Sequence, residues 1–347
     1  APYGNKSEAL RINNSLRKMF YLDKKGNLKS EIASSLFKFE IANLLKNERF
    51  DNICGAIQMF TESLLIEWNE YWIKLTKINK IVLSGGVFMN IKANHMILRS
   101  KLVKKLFIVP SSSDESLVFG SLWKANMESS IKTKKITNLY IGSNYNEDID
   151  SYIKKINKNF KIKRFKNYKE LNKFVAKLLK KNHIIARCCG REEWGARSLG
   201  NRSILCNPSS IKNINKINHT IKSRDFWMPF SPTILNESKN LYVKNLKNFN
   251  LKYMTMALNT KPQAKNDLAA ALHPMDNTVR PQVLFKKDNP SYYDLIYKFK
   301  KITGIGALLN TSFNLHGEPN VSNYDDAIHT VSKSNLKYLI LENYLII

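Results

Sequence analysis

The sequence predicts an α/β protein of two domains. A strand, a glycine turn, a helix, a strand and a helix follow one another from residue 81 to 126, and a similar alternation runs from residue 139 to the carboxyl terminus. The 347 residues exceed what one compact core usually holds, and 43% hydrophobic residues can fill two. A polar, lysine-rich stretch without periodicity at 128–138 predicts a boundary near residue 135.

Charge and composition restrict the class of partner. Lys and Arg number 56 against 28 acids, and a net charge of +28 attracts phosphate-bearing molecules. Lys, Asn and Ile share A/T-rich codons, so codon bias also explains the excess of basic residues. Because the lysines are scattered along the chain rather than gathered in one segment, we expect no nucleic-acid partner. Four cysteines show no metal or disulfide spacing, and no apolar stretch reaches the length of a membrane span. We therefore expect a cytoplasmic protein without a membrane partner.

Two turns in the first half carry groups suited to nucleotide or metal binding. Gly85 and Gly86 follow a strand and let the backbone approach a phosphate, and Asn90 adds an amide. A tight strand-to-helix turn explains the same residues. Asp114 follows the second strand in a polar loop, where a carboxylate either holds a cation or caps the next helix.

An arginine-rich segment at 190–205 is the densest motif. Arg191, Arg197 and Arg202 occur among glycines in a protein that otherwise prefers lysine, and codon bias does not produce that exception. A guanidinium group grips a phosphate or carboxylate in two places, and Glu193 could orient one of them. The structural alternative is a turn held by salt bridges.

Three further segments add cations and polar groups. Lys222 and Arg224 share one side if their segment is extended, which suits a phosphate; an exposed basic strand is the alternative. Arg280 lies in the segment 273–282. Ser312 and Asn314 offer a hydroxyl and an amide after a strand, although a polar turn has the same composition.

In this order, the six segments resemble the NodU/TobZ-type O-carbamoyltransferases of nodulation and antibiotic biosynthesis. The family's GRxExGPRALGNRSIL-like block corresponds to residues 190–205, and its NTSFNxxGEP-like block to residues 310–319. The resemblance implies the second half of an actin/Hsp70-like (ASKHA) domain at residues 1–130. It also implies a YrdC-like α/β domain at residues 137–347.

The resemblance also implies a reaction. The YrdC-like domain would react carbamoyl phosphate with ATP and form carbamoyl-adenylate. The first domain would bind a nucleotide and a divalent metal (Fe²⁺, Mg²⁺ or Mn²⁺). It would then transfer the carbamoyl group to a hydroxyl of a sugar or natural product. The implied catalytic residues are Arg191, Arg197, Arg202, Lys222, Arg224 and Arg280. The residues implied to bind carbamoyl phosphate or ATP are Ser203, Asn310, Ser312 and Asn314. The residues implied to bind the nucleotide of the first domain are Gly85, Gly86 and Asn90, and the implied metal ligand is Asp114.

The sequence departs from the family pattern in three places and lacks one element. Ala196 replaces a proline, Met228 and His316 replace arginines, and the family's histidine-rich metal element is absent from these 347 residues. We therefore expect an incomplete metal site around Asp114. Either the chain is truncated, or a separate chain or a second copy supplies the rest.

Two other functions compete with O-carbamoyl transfer. A threonylcarbamoyl-type tRNA-modifying enzyme fits the charge of +28, but the 190–205 block resembles the carbamoyltransferases. An inactive remnant fits the missing element, but the complete set of cations argues against it.

Overall fold

The computed structural model describes residues 3–133, 135–144, 148–156, 160–225 and 227–347. The chain forms two compact units: unit 1 comprises Ala1–Ser112 and Leu246–Phe249, and unit 2 comprises Ser113–Asn245 and Asn250–Ile347. The division falls earlier than the boundary predicted near residue 135. Within unit 2, the rings of Phe119 and Trp194 lie 5.0 Å apart, so the helix that carries Phe119 packs with the second unit rather than the first.

Unit 1 is mainly helical, with two small sheets. Its elements are α1 (Lys6–Met19), β1 (Phe20–Leu22), β2 (Leu28–Ser30), α2 (Phe37–Leu45), α3 (Phe50–Thr76), β3 (Lys80–Leu83), α4 (Ile91–Arg99) and β4 (Lys105–Ile108). Strands β1 and β2 are antiparallel, and β3 and β4 are parallel. Apolar residues at three- and four-residue steps predict a helix over 51–77, which is confirmed as α3. The short apolar runs at 81–83 and 106–109 predict strands, and these are confirmed as β3 and β4.

A small apolar core joins the two longer helices of unit 1. Ile12 and Leu16 of α1 are buried with Ala56 of α3. Apolar side chains at three- and four-residue spacing place these residues on one face of each helix, and burying that face stabilises both helices.

Unit 2 contains a mixed sheet with helices packed on it. Its helices are α5 (Leu117–Glu128), α6 (Ile149–Ile156), α7 (Tyr168–Lys180), α8 (Lys212–Ile217), α9 (Lys239–Tyr242), α10 (Pro262–Asp267), α11 (Pro290–Thr303) and α12 (Tyr324–Ser332). Its strands are β5 (Ile162–Arg164), β6 (Ile185–Cys188), β7 (Arg202–Cys206), β8 (Ser231–Leu235), β9 (Gln282–Leu284), β10 (Ala307–Ser312), β11 (Leu339–Leu341) and β12 (Tyr344–Ile346).

The eight strands form one sheet in the order β5-β12-β11-β6-β7-β10-β8-β9. The pairs β11/β6 and β8/β9 are parallel, and the other neighbours are antiparallel. The central strands β6, β7, β8 and β10 are buried almost throughout, and their buried polar side chains include Arg187, Arg202 and Asn310. The predicted α/β class is confirmed for this unit. Its YrdC-like identity and the ASKHA identity of unit 1 stay predictions.

The apolar residues at 139–141 predict a strand that opens the second domain, and this prediction is wrong. Residues 139–141 do not enter the sheet; they run as irregular backbone, with Leu139 O accepting from Trp194 N at 2.7 Å and Gly142 N donating to Glu192 O at 3.1 Å. The phenol of Tyr140 donates to Leu199 O at 2.8 Å. The alternation of apolar residues here reflects contacts with the arginine-rich segment rather than strand pairing.

Arg187 fixes that segment against the sheet. Its buried guanidinium donates to Gly200 O at 2.6 Å and to Asn201 Oδ1 at 2.8 Å, and it lies over the ring of Tyr292 on α11. Gly200 has a φ of 120°, in the region that favours glycine. A Cβ placed there would stand 2.1 Å from the Tyr292 ring.

None of the helices among the described residues combines the length and the apolar character needed to cross a membrane.

We predict that Gly200→Ala destabilises the protein. The positive φ and the overlap with Tyr292 together cost about 2–5 kcal/mol in free energy of unfolding. Thermal unfolding should show a clearly lower Tm. Gly120→Ala is the matched control, because Gly120 lies in α5 with open space around its Cα, so its Tm should be unchanged or slightly higher. Equal Tm values for the two variants would contradict the prediction.

Candidate anion-binding site

The glycine turn of unit 1 has the geometry of a tight turn. Gly85 has a φ of 113° and donates its N–H to Ser112 O at 3.0 Å, and open space surrounds both Gly85 and Gly86. Asn90 caps α4 by accepting from Ala93 N at 3.1 Å and exchanges amide hydrogen bonds with Gln58. Its side chain is thus engaged in structural contacts, and the nucleotide role of these three residues stays a prediction.

Asp114 does not belong to a cluster that fits a metal. It is exposed at the start of a 3₁₀ turn, Asp114–Ser116, that leads into α5. Among the described residues, no three His, Cys, Asp or Glu side chains lie close enough together to hold an ion. Because a hard or borderline cation needs several protein ligands, the residues present do not fit a metal, and we derive no step through one.

Glu193 organises the arginine-rich segment from inside. Its Oε1 accepts the backbone N–H groups of Leu199, Asn201 and Arg202 at 2.7, 2.7 and 3.3 Å. Three main-chain donors on one carboxylate oxygen fix the path of the loop, as charge-assisted bonds do in turns. Glu193 was expected to orient a guanidinium; in the structure it orients the backbone instead.

Two of the three predicted arginines of this segment have structural contacts. Arg191 is exposed and donates to Ile141 O and Gly142 O at 2.7 and 2.9 Å. Arg202 is 1% exposed and donates to Ser322 O at 3.0 Å and to Cys189 O at 3.1 Å. Main-chain carbonyls therefore occupy both guanidinium groups, and these contacts do not support the predicted catalytic role.

Lys222 lies at the centre of a polar cluster at the end of β10. Its ammonium donates to Ser312 Oγ at 3.1 Å, to Asn314 O at 3.2 Å and to Asn314 Oδ1 at 2.5 Å. Ser312 Oγ also donates to Asn314 Oδ1 at 2.7 Å. The structure thus brings together the lysine, serine and asparagine that the sequence motifs singled out.

The backbone that carries Lys222 and Arg224 differs from the prediction. The segment is not extended: Lys222 ends a π-helical turn, Asn218–Lys222, and Ser223 has a φ of 45°. The left-handed residue redirects the chain between the two cations. Arg224 then donates to Thr311 Oγ1 at 3.2 Å, and its guanidinium carbon lies 5.0 Å from the centre of the Phe230 ring.

Arg280 and Arg197 complete a group of four cations. Arg280 Nε donates to Ser231 Oγ at 3.0 Å, next to the end of β8. Burial, Arg197 and Arg224 lower the pKa of Arg280 to about 9. Burial and Arg197 lower the pKa of Arg224, and burial lowers that of Arg197, against which Glu115 acts. We call Arg197, Lys222, Arg224 and Arg280 the cation cluster.

The buried polar groups beside the cluster have a supporting role. Asn310 is buried and donates its amide to Ser198 O and Thr233 Oγ1, both at 3.1 Å. Ser203 pairs with Ser312 in the β7–β10 register, and its buried hydroxyl has no hydrogen-bond partner among the described residues. Direct contact of either with a ligand stays a prediction.

Three members of the cation cluster have no negatively charged partner among the described residues. Burial and Arg224 lower the pKa of Lys222 to about 7. Within the described part of the chain, Lys222, Arg224 and Arg280 form no ion pair, and their oxygen partners are uncharged. Partly buried cations without carboxylates form a site for a polyvalent anion. Fold and site together define an α/β protein whose unit 2 holds a cluster of partly buried cations, with a charge that suits a polyvalent anion.

Arg187 is a functional candidate that the sequence reasoning missed. It occurs in an ordinary apolar strand, Ile185–Cys188, and supports the loop that carries Arg197. A single arginine within an apolar strand is the sequence feature that indicates such a residue, because a buried charge needs specific partners.

Comparisons with known proteins identify the family of the chain. The family model described as Carbamoyltransferase N-terminus matches residues 5–121, and the one described as Carbamoyltransferase C-terminus matches residues 176–347. The chain belongs to the carbamoyltransferase family, which confirms the resemblance of its motifs. The two models together account for most of its length.

Several relatives show the extent of the match. An uncharacterized protein of Methanocaldococcus jannaschii is 35% identical over 301 residues, covering 85% of this chain and 49% of that protein. Nodulation protein NolNO of Sinorhizobium fredii is 28% identical and covers 86% and 44%. Nodulation protein NolO of Bradyrhizobium diazoefficiens is 28% identical and covers 85% and 54%. The chain spans about half the length of these relatives.

Solved structures give a weaker likeness. The full-length HypF structure in its phosphate- and nucleotide-bound form is 14% identical, covers 54% of this chain and 22% of that one, and superposes with a TM-score of 0.34. A likeness this low carries no argument about this chain.

We predict that Arg202→Lys destabilises the protein, whereas a purely catalytic role for this arginine would leave the fold intact. An ammonium cannot reach both carbonyls that the guanidinium bridges, so about 1.5–3 kcal/mol of free energy of unfolding should be lost. Denaturant unfolding measures this. Arg191→Lys, at an exposed position, is the control and should be close to neutral. If Arg202→Lys unfolds like the parent protein, the structural assignment of Arg202 is wrong.

We also predict that sulfate binding weakens as the pH rises through about 7. The charged form of Lys222 predominates below its lowered pKa and is lost above it, whereas sulfate keeps its charge. Between pH 6 and pH 8 the Kd should rise by about tenfold, the value of one charge-assisted bond. Calorimetry with Lys222→Arg should show a flatter profile, and Lys216→Arg, at an exposed position nearby, should keep the dependence. A flat profile in the parent protein excludes Lys222 from the site.

Proposed function

We propose that unit 2 binds carbamoyl phosphate and ATP and forms carbamoyl-adenylate, and that the whole protein transfers the carbamoyl group to a hydroxyl acceptor. The observation that carries this proposal is the cation cluster, in which the hydrogen-bond partners of Lys222, Arg224 and Arg280 among the described residues are hydroxyl, amide and main-chain oxygens rather than carboxylates. Both substrates present phosphates, and a site with several cations matches their charge. Membership of the carbamoyltransferase family supports the carbamoyl chemistry.

The proposed step balances with one water molecule. Water cleaves the bond between the carbamoyl group and phosphate, which gives carbamate and phosphate. A carbamate oxygen then attacks the α-phosphorus of ATP, the bond from that phosphorus to the bridging oxygen breaks, and pyrophosphate leaves. The products are carbamoyl-adenylate, pyrophosphate and phosphate.

The cation cluster would serve this step by positioning and charge stabilisation. Lys222 is fixed by Ser312 and Asn314, so its ammonium direction is set before a ligand arrives. Arg224 is fixed by Thr311 and Phe230 in the same way. Preorganised cations stabilise charge that develops on phosphoryl oxygens without reorganising during the reaction.

The acceptor is proposed as a class. Two relatives are nodulation proteins by name, and a hydroxyl of a sugar or natural product is the corresponding expectation. The metal expected for the transfer half does not fit the described residues, and the proposal for unit 2 does not require one. The competing tRNA-modifying function has no observation in its favour beyond the net charge.

We predict that the chain releases pyrophosphate from ATP only when carbamoyl phosphate is present. Lys222→Met should reduce the rate about 10²–10³-fold, because it removes a preorganised charge from the developing anion. Lys216→Met is the matched control, since it lies in the same segment but is exposed and bonds Asn182 O. A pyrophosphate-coupled assay measures the rates, with circular dichroism to verify folding. No release by a folded chain, or equal rates for both variants, would exclude the proposed step.

A further inference from the structure

Two buried amide side chains hold the loop that carries Arg197. Asn310 Nδ2 donates to Ser198 O at 3.1 Å, and Gln282 Nε2 donates to Leu199 O at 3.0 Å. Both amide residues are 2% exposed, so water does not replace these bonds. Two successive carbonyl groups directly after Arg197 are therefore fixed to the sheet. The proposed reaction step gives Gln282 no role.

Thr233 connects the two amides and sets the direction of each. Its fully buried hydroxyl accepts from Asn310 Nδ2 at 3.1 Å and donates to Gln282 Oε1 at 2.7 Å. A hydroxyl has one hydrogen, so donating it to Gln282 leaves only acceptor positions for Asn310. The NH₂ group of each amide consequently faces the loop, and both amide hydrogens of Asn310 are donated within the protein.

The strand geometry places these three side chains next to the cation cluster. Thr233 is two residues from Ser231, which accepts from Arg280, and Asn310 is two residues from Ser312, which accepts from the lysine of the cluster. Side chains two residues apart in a strand lie on the same face of the sheet. The buried hydrogen-bonded group therefore lies beside the site residues, on the face of β8 and β10 that carries them.

Arg197 depends on its backbone for its position in the cluster. Among the described residues its guanidinium group has no hydrogen bond and no ion pair, although Glu115 is near enough to favour its charged form. Its charge lowers the pKa of Arg224 and Arg280. Because no side-chain partner holds Arg197, a movement of the loop by about 1 Å would displace its charge from a bound anion.

We propose that Asn310, Gln282 and Thr233 are positioning residues that place Arg197 in the cation cluster. We call these three side chains the amide relay. The inference deepens the proposed function, because it rests on Arg197 being one of the cations that bind the substrate anion. The relay acts through the backbone of the loop, and its members need no contact with the ligand.

The test is a double-mutant cycle on sulfate binding, measured by calorimetry. Arg197→Met should weaken binding about tenfold in the parent protein, the value of one charge-assisted bond. In Thr233→Val the same change should weaken binding about twofold or less, because the arginine is already displaced. Thr330→Val, a buried threonine on α12, is the matched control and should keep the tenfold loss. Equal losses in the parent protein and in folded Thr233→Val overturn the proposal.

Hydrogen exchange without ligand supplies a second measurement, and Gln282→Met supplies a second variant if Thr233→Val does not fold. The N–H groups of Leu199 and Asn201, which bond Glu193, should exchange about tenfold faster in either variant, whereas those of β6 should not change. Unchanged exchange of these two amides overturns the proposal.

Failure of the proposed function has a different result. Sulfate would then not bind the parent protein, or would bind Lys222→Met as tightly as the parent protein. The hydrogen exchange of Leu199 and Asn201 would still decide whether the amide relay holds the loop.

Discussion

Like charges held close together are the constraint on which unit 2 depends. Burial lowers the pKa of Arg197, Lys222, Arg224 and Arg280. Repulsion by a neighbouring arginine lowers the pKa of Lys222, Arg224 and Arg280 further. The hydrogen-bond partners of Lys222, Arg224 and Arg280 are hydroxyl, amide and main-chain oxygens. These acceptors orient the cations without neutralising them. A bound polyanion would supply the missing charge, so binding and stability should be coupled.

Such a cluster needs a rigid frame, and buried charges elsewhere in unit 2 supply it. Glu193 collects three backbone donors of the arginine-rich segment, and Arg187 holds the same segment from β6. Arg202 ties β7 to Ser322 O, just before α12. Because each buried charge has specific partners, it restricts the loop to one path. Of the three arginines of the 190–205 segment, Arg191 and Arg202 donate to main-chain carbonyls and hold the backbone, whereas Arg197 belongs to the cation cluster.

The glycine turn and Asn90 of unit 1 have structural contacts that account for their residue types. Asn90 is an N-cap and an amide partner of Gln58, and the glycines at 85 and 86 form a turn with open space around it. Every one of these contacts stabilises a strand-to-helix connection without a ligand. A nucleotide role for this turn stays a prediction that rests on the family relationship. The chain spans about half the length of the relatives.

Sequence by itself determined the α/β class of unit 2, the long helix of unit 1 and the membership of the polar cluster. Periodicity gave α3 closely, and the motif residues Lys222, Ser312 and Asn314 do meet. These features depend on near neighbours or on chemistry carried in short motifs. Tertiary structure alone decided that residues 139–141 leave the sheet and that a π-helical turn carries Lys222. It also decided that Arg202 is buried while Arg197 joins the cluster. The direction of a side chain there is set by partners distant in the sequence, such as Ser322 for Arg202, and local pattern does not specify them.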